Sequence, residues 1–205
     1  MTEIPFTALP KTIPATESPY GDDWDLLWLG YCMQGLPRPE STVHSKARVV
    51  QKSDTTVPTP ERLGSDFTPH NMLKDYPAHT RLYHHTHKPV CSTGYALSRR
   101  GARKVLWELS VNHYDSGSAY DVMLINLCHG DRKTKLNCLS TSPALFRHWR
   151  PRGLASSESD ISPHGDAWRE EGKSKDIRWS VRANIPMLLN LRRGQEPVWV
   201  DQYPD

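Results

Sequence analysis

The stretch Val90-Cys91-Ser92-Thr93-Gly94-Tyr95-Ala96-Leu97-Ser98-Arg99-Arg100-Gly101-Ala102-Arg103-Lys104-Val105-Leu106-Trp107-Glu108-Leu109 decides the fold class. Its apolar period changes from two to about 3.6 at Ser98. Cys91, Thr93, Tyr95 and Leu97 share one face of a strand, and Gly94 leaves room for a close neighbour. Ser98 then has the form of an N-cap, because its hydroxyl can accept an amide that the first helical turn leaves unpaired. Ala102, Val105, Leu106 and Leu109 recur at helical spacing, while Arg99, Arg100, Arg103 and Lys104 read as a solvated polar face. Tyr95 and Trp107 read as core. A strand feeding a helix through a tight turn is the repeating unit of an α/β domain.

Upstream, Trp24-Asp25-Leu26-Leu27-Trp28-Leu29-Gly30 is a short, nearly continuous apolar run between Asp22-Asp23 and Gly30, which predicts a buried strand. Before it, Pro5, Pro10, Pro14 and Pro19 punctuate an irregular lead-in over 1–21. Residues 31–89 hold seven prolines and six of the ten histidines, and they read as a long Pro/His-rich insertion or a disordered segment. The end of that segment, Arg81-Leu82-Tyr83, suits a short strand.

Downstream, a helix is expected from about Ala119 to His129. Ser118-Ala119-Tyr120-Asp121 has the form of a capping box, and Gly130 that of a C-cap. Asn137 to Thr141 reads as a strand stopped by Pro143, and Arg147 to Gly172 as loop. A last helix is expected over Ile177 to Asn184, with Pro186 forcing a break or a kink. The whole is one α/β domain over 22–193 with a tail at 194–205.

Composition bounds the function. The 205 residues are 37% hydrophobic, leaner than the roughly 45–50% of globular domains. No run approaches the roughly 18 apolar residues of a membrane span, and MTEIPFTALPKTIP is not a secretory signal. Twenty-six basic against 23 acidic residues give a net charge of +3, too mild for a nucleic-acid binder. Cys32, Cys91, Cys128 and Cys138 form no zinc pattern and allow three pairings. Buried free thiols are the default for a chain without a signal peptide. Cys32–Cys91 and Cys128–Cys138 are the pairs to test should the chain meet an oxidising compartment.

Three blocks in order carry a family resemblance: Asp23 to Gly30, Tyr95 to Leu106, and Tyr120-Asp121-Val122-Met123-Leu124. A fourth runs from Cys138-Leu139-Ser140 through Pro143, Leu145-Phe146 and His148 to Ser159-Asp160-Ile161. Together they resemble glycosyltransferase family 25, which includes lipooligosaccharide-biosynthesis enzymes and collagen galactosyltransferases. Its members carry a W-D-x-x-x-x-G strand, a Y-x-x-S-x-x-G-A-x-K-L-L strand-to-helix unit, a D-x-x-L helix start, and a closing segment with a His and an S-D pair. The resemblance covers roughly 22–30 and 83–161, under half the chain. It implies part of a GT-A-like, Rossmann-related fold and transfer of a hexosyl group, galactosyl by family, from a UDP-sugar to a glycan or hydroxylated protein acceptor. It also implies an inverting single displacement, Mn²⁺ or Mg²⁺ on the diphosphate, and a place in the secretory pathway, although this N-terminus carries no address. Family members place a nucleotide-binding half with an acidic E-D-D or D-x-D site before the W-D strand, whereas here only the Pro-rich lead-in precedes Asp22. The expectation is therefore an enzyme lacking its donor-binding half, or a catalytically inactive remnant or interaction module of the same ancestry.

Each candidate residue has a structural reading beside the functional one. Asp23-Trp24-Asp25 satisfies D-x-D, and side chains two apart on a strand could share one cation; as a polar strand terminus the pair would be structural. Asp121 is the candidate base that takes the acceptor proton, or simply completes the capping box. His148 and Arg150, beside Arg147 and Trp149, are placed to bind the cation or the diphosphate, or form an exposed basic loop. Ser159 and Asp160 would meet sugar or ribose hydroxyls, or make a turn. His84-His85-Thr86-His87 with Cys91 lacks a second ligand pair at zinc-like spacing and reads as a solvated loop.

Overall fold

The computed structural model describes residues 2–11, 13–38, 47–64, 70–113, 117–129, 134–158 and 165–205. The fold is mixed α/β, as the alternation of strand and helix predicts. Six strands form one mixed sheet: β1 (Thr2–Pro5), β2 (Leu26–Gly30), β3 (Ala47–Gln51), β4 (Arg81–His85), β5 (Gly94–Leu97) and β6 (Cys138–Ser142), in the order β1-β3-β4-β6-β2-β5. β2 and β6 run parallel at the centre; β5 flanks β2 and β4 flanks β6, both antiparallel.

The helices Arg99–Leu106 and Tyr120–His129 follow the sequence signals, whereas His70–Asp75 falls in the segment read as an insertion or disordered. α1 spans His70–Asp75, α2 Arg99–Leu106, α3 Tyr120–His129 and α4 Val181–Asn190. At the start of α2 the Ser98 hydroxyl accepts the Gly101 amide at 3.0 Å, so the expected cap is formed. Gly101 is required there because a Cβ would lie 2.0 Å from the Asp25 carbonyl oxygen. Gly94 admits the expected neighbour, since a Cβ there would meet Phe146 at 2.8 Å. Gly130 lies outside the described residues.

The main core forms where the inward face of β2, Leu26 and Trp28, meets Val105 of α2 and Leu124 and Leu127 of α3. Leu27 and Leu29 point to the other face, where a groove of about 610 Å³ runs beside Val49, Ala96 and Leu139.

Several expectations change. The lead-in is not wholly irregular, because Thr2–Pro5 pairs with β3. The Pro/His-rich segment supplies two of the six sheet strands, β3 and β4. Val49 and Val50 are the only adjacent pair of large aliphatic residues in β3, too little for a period-two signal. Arg147 to Gly172 is not simply loop: β7 (Trp149–Arg150) pairs with β10 (Lys173–Ser174), and β8 (Gly153–Leu154) with β9 (Trp168–Arg169). Two-residue strands carry no readable period. The last helix starts later, at Val181, and runs through Pro186, which costs it one backbone hydrogen bond. Tyr95 and Trp107 are 40% and 53% exposed rather than core.

All four cysteines pair, which corrects the free-thiol default. Cys32–Cys91 and Cys128–Cys138 have Cα separations of 5.4 and 5.7 Å. The first joins the end of β2 to the approach to β5; the second ties α3 to β6.

The tetrad His84-His85-Thr86-His87 is not a solvated loop, because His84 and Thr86 are buried. His84 Nδ1 lies 2.8 Å from the His85 carbonyl and therefore carries the ring proton, leaving Nε2 to accept from the Ser142 hydroxyl at 3.0 Å. Gln34 Nε2 donates to that hydroxyl at 3.2 Å, and the Tyr31 hydroxyl donates to the Thr141 carbonyl at 2.7 Å. This network suits a neutral imidazole, and burial pushes the His84 pKa down to about 4.

Two predictions follow from these bonds and burial. By loop-closure entropy, replacing Cys32 and Cys91 with Ser costs about 4 kcal/mol and replacing Cys128 and Cys138 about 3 kcal/mol, for separations of 59 and 10 residues. Urea unfolding checks the order, and a larger loss at the short loop would contradict it. His84 stays neutral in the fold while an unfolded imidazole gains its proton near pH 6.5. Stability is thus full above about pH 6.5 and falls by about 3 kcal/mol as the pH drops to 4. Unfolding of His84→Gln should show a flatter slope across that window; an unchanged slope rejects the assignment.

Candidate functional site

The parallel neighbours β2 and β6 end side by side, and the chain leaving each builds one wall of a pocket. Beyond β2 come Tyr31 and Cys32. Beyond β6, after Pro143, come Arg147, His148 and Arg150. Arg169 of β9 and Lys175, just past β10, close a cavity of about 280 Å³ with them. In open α/β sheets ligands bind outside the carboxyl ends of the strands, which is where this pocket lies.

Arg147 anchors it. Its guanidinium stacks 5.2 Å above the Tyr31 ring, donates to the Tyr31 and Cys32 carbonyls, and pairs with the buried Asp176 at 2.9 Å. Burial pushes the Asp176 carboxyl up, partly offset by Arg147 and by the Gly64 amide. The ribbons fix the outer basic groups, since Arg150 lies opposite Lys173 and Arg169 opposite Gly153. His148 is at the exposed rim. Its pKa is lowered by partial desolvation, then by the charges of Arg150 and Arg147, a sign of positive potential at the mouth. Among the described lining residues there is no carboxylate. Such a wall suits a compact anion, because guanidinium groups present planar pairs of donors that match phosphate oxygens.

Asp121, at the start of α3, accepts the Cys91 amide on Oδ2 at 2.9 Å. Cys91 is bonded to Cys32, which lines the pocket, so one disulfide links the candidate base to the basic wall. Exposed Tyr95 and Tyr120 stand beside this helix start, with ring centroids 6.0 Å apart.

Asp23 and Asp25 converge on one cation, and it is Arg100. Its Nε lies 2.7 Å from Asp25 and its Nη2 3.3 Å from Asp23. The other oxygen of Asp25 takes Lys104 Nζ at 2.6 Å and the Asn137 amide at 2.8 Å. These donors outweigh the desolvation that would raise the pKa of this 1% exposed residue, and the carboxyl is held below its usual range. A divalent cation there would have to displace two side-chain cations, so the D-x-D residues do not fit one. Arg100 and Lys104 are accordingly half of a clamp rather than a purely solvated face. No group of three or more His, Cys, Asp or Glu converges for a metal among the described residues. Ser159 and Asp160 lie outside the described residues.

The structure therefore brings His148 and Arg150 together, connects Asp121 to them through a disulfide, and assigns Asp23 and Asp25 to the clamp. Sequence reasoning missed Arg169, Lys175 and Tyr31, because they reach the pocket only through the two-residue ribbons and the turn after β2. No helix among the described residues is long and apolar enough to cross a membrane.

Asp25→Asn is expected to destabilise the fold by about 3 kcal/mol, toward the lower end for a broken buried pair because Arg100 and Lys104 remain partly in water. The loss should be the same in EDTA and in Mn²⁺. Stability that depends on added metal would instead make Asp25 a ligand.

No family model, curated protein or solved structure matches this chain.

Proposed function

We propose that the chain is a family 25-like, GT-A-related hexosyltransferase. It takes a hexosyl group, galactosyl by resemblance, from a UDP-sugar to a glycan or hydroxylated protein acceptor. The observation that carries this reading is the basic pocket at the carboxyl ends of β2 and β6, where Arg147, His148 and Arg150 face Arg169 and Lys175. At about 280 Å³ it is just below the ~300–1,000 Å³ of sites that hold whole drug-sized ligands. It thus suits the diphosphate, with nucleoside and sugar reaching outside. Asp121, tethered to the same region through Cys91, is the base for the acceptor hydroxyl. The two disulfides agree with the oxidising compartment that the resemblance implies.

A non-catalytic remnant or interaction module of the same ancestry is the second reading. The commitment of Asp25 to Arg100 and Lys104 favours it, since that carboxylate is occupied within the fold.

Calorimetric titration with UDP-galactose, whose diphosphate has no ionisation near neutral pH, tests the donor site. Bound anion raises the lowered His148 pKa, so binding takes up a proton and tightens as the pH falls from 8 to 6. His148→Ala should flatten that profile. With acceptors supplied as oligosaccharides and hydroxylated peptides, Asp121→Asn should lower transfer by about 10²–10⁴-fold. Binding without transfer to any acceptor would support the second reading; no heat at millimolar UDP-galactose from a folded chain rejects the transferase and leaves the remnant or interaction module standing.

A further inference from the structure

We infer that the hairpin formed by α4 and the C-terminal segment is a docking surface for an anionic lipid bilayer. A helix of a globular domain turns its apolar stripe inward. α4 does the reverse. Its one buried residue is the polar Asn184, while Val181, Ile185 and Leu189, four apart on one stripe, all keep contact with solvent. Asn184 is committed to the returning chain: it donates to the Val200 carbonyl at 3.3 Å and accepts the Val200 amide at 2.7 Å. Arg178, paired with Asp201 at 2.6 Å, and Gln202, bonded to the Arg178 and Ile177 carbonyls, close the base of the hairpin.

The tip has a different composition from the base. The Gln195 amide donates to the Arg192 carbonyl at 3.0 Å, closing a turn in which Gly194 takes a φ of 83°. Leu189 on the helix and Val198 on the returning arm each lie about 7 Å beyond the Asn184–Val200 tie, by the rise of a helix and of an extended chain. Both are 81% exposed, and Trp199 and Val200 continue the exposed apolar surface. Over 181–200 three arginines stand against one acid, Glu196. Arg182, Arg192 and Arg193 are exposed, and none is in an ion pair among the described residues. Exposed aliphatic side chains and a Trp, bordered by arginines, match a bilayer interface, where acyl chains take the apolar groups and headgroup phosphates the guanidinium groups. Two aliphatic side chains on a hairpin tip need no complementary pocket to enter acyl chains, whereas a folded partner would have to supply one. The ten residues of α4 lie on such a surface, since a span needs about 20.

The test is co-sedimentation of the full chain with vesicles of phosphatidylcholine alone and of phosphatidylcholine and phosphatidylglycerol in equal parts. The mixed vesicles should bind the chain, and the neutral ones more weakly by at least about tenfold. Replacing Leu189 and Val198 together with Ser should weaken binding to the mixed vesicles by about tenfold, the loss of two inserted side chains. Replacing Arg192 and Arg193 together with Gln should weaken it by about thirtyfold, with little change on neutral vesicles. All four side chains are in water in the free protein, so thermal unfolding should be unchanged in both variants. Binding to neither vesicle overturns the inference. So does vesicle binding that both variants retain in full, because another surface then carries it. Self-association in analytical ultracentrifugation that the Ser variant abolishes, without vesicle binding, also overturns it and makes the tip an interface between two copies. These outcomes leave the transfer reading untouched, since nucleotide-sugar titration is a separate measurement.

Discussion

The carboxylate of Asp25 joins three segments of chain that the sequence keeps far apart. It stands at the entry to β2, receives Arg100 and Lys104 from α2, and accepts the Asn137 amide at the entry to β6. Its own backbone is equally committed: the carbonyl accepts the Ser98 amide at 3.1 Å, and the amide donates to Asn137 at 2.9 Å. Lys104 also reaches the Lys135 carbonyl. A carboxylate this buried is tolerable only when its lone pairs are satisfied, and here helix and strands converge to satisfy them. That convergence sets the β2–β6 pair in parallel, and the parallel pair sets where the chain emerges to build the pocket.

At the opposite end of the same strands the pairing logic is reused with the roles exchanged. Arg147 is the buried charge there, and Tyr31, Cys32 and Asp176 come to it. Asp176 has a backbone φ of 59°, and its carboxylate also accepts the Gly64 amide at 2.7 Å. This one ion pair therefore holds the turn after β10 against both the end of β2 and the Gly64 turn. The basic residues beyond it project from ribbons of two residues each, whose ladders alone are weak. Their position depends on the Arg147–Asp176 contact more than on local propensity.

How much of this could be read in advance follows from how local each signal is. The Gly94-to-Leu106 unit was legible because its cap, its period change and its glycines are all local. The same holds for the helix over Tyr120–His129 and the strand through Trp28. β3 was hidden by its composition: Arg48 stacks on Tyr76 and pairs with Glu3, contacts that only the sheet creates. The continuation of α4 through Pro186 was hidden because Asn184 is held by Val200 in both directions, a tertiary tie to the C-terminal segment. Of the site, His148 and Arg150 were visible as a basic cluster, while Arg169 and Lys175 lie roughly twenty residues on, with no motif between.

Net charge was the least informative quantity of all. A balance of +3 argues against a nucleic-acid surface, yet it averages over a molecule whose charges are segregated. Asp25 is consumed by α2 and Asp54 by Arg81 at 2.6 Å, so buried acids are spent on holding strands and helices in place. Arg147, itself paired with Asp176, gathers with Arg150, Arg169 and Lys175 around a space of about 280 Å³. A polyanion backbone needs a basic stripe along an open surface, matching its regular charge spacing. A small cavity with fixed guanidinium groups on its wall rewards a ligand that concentrates its charge within a few ångströms, as a diphosphate does. The shape of the positive region, more than its magnitude, points from nucleic acid to a small phosphorylated ligand.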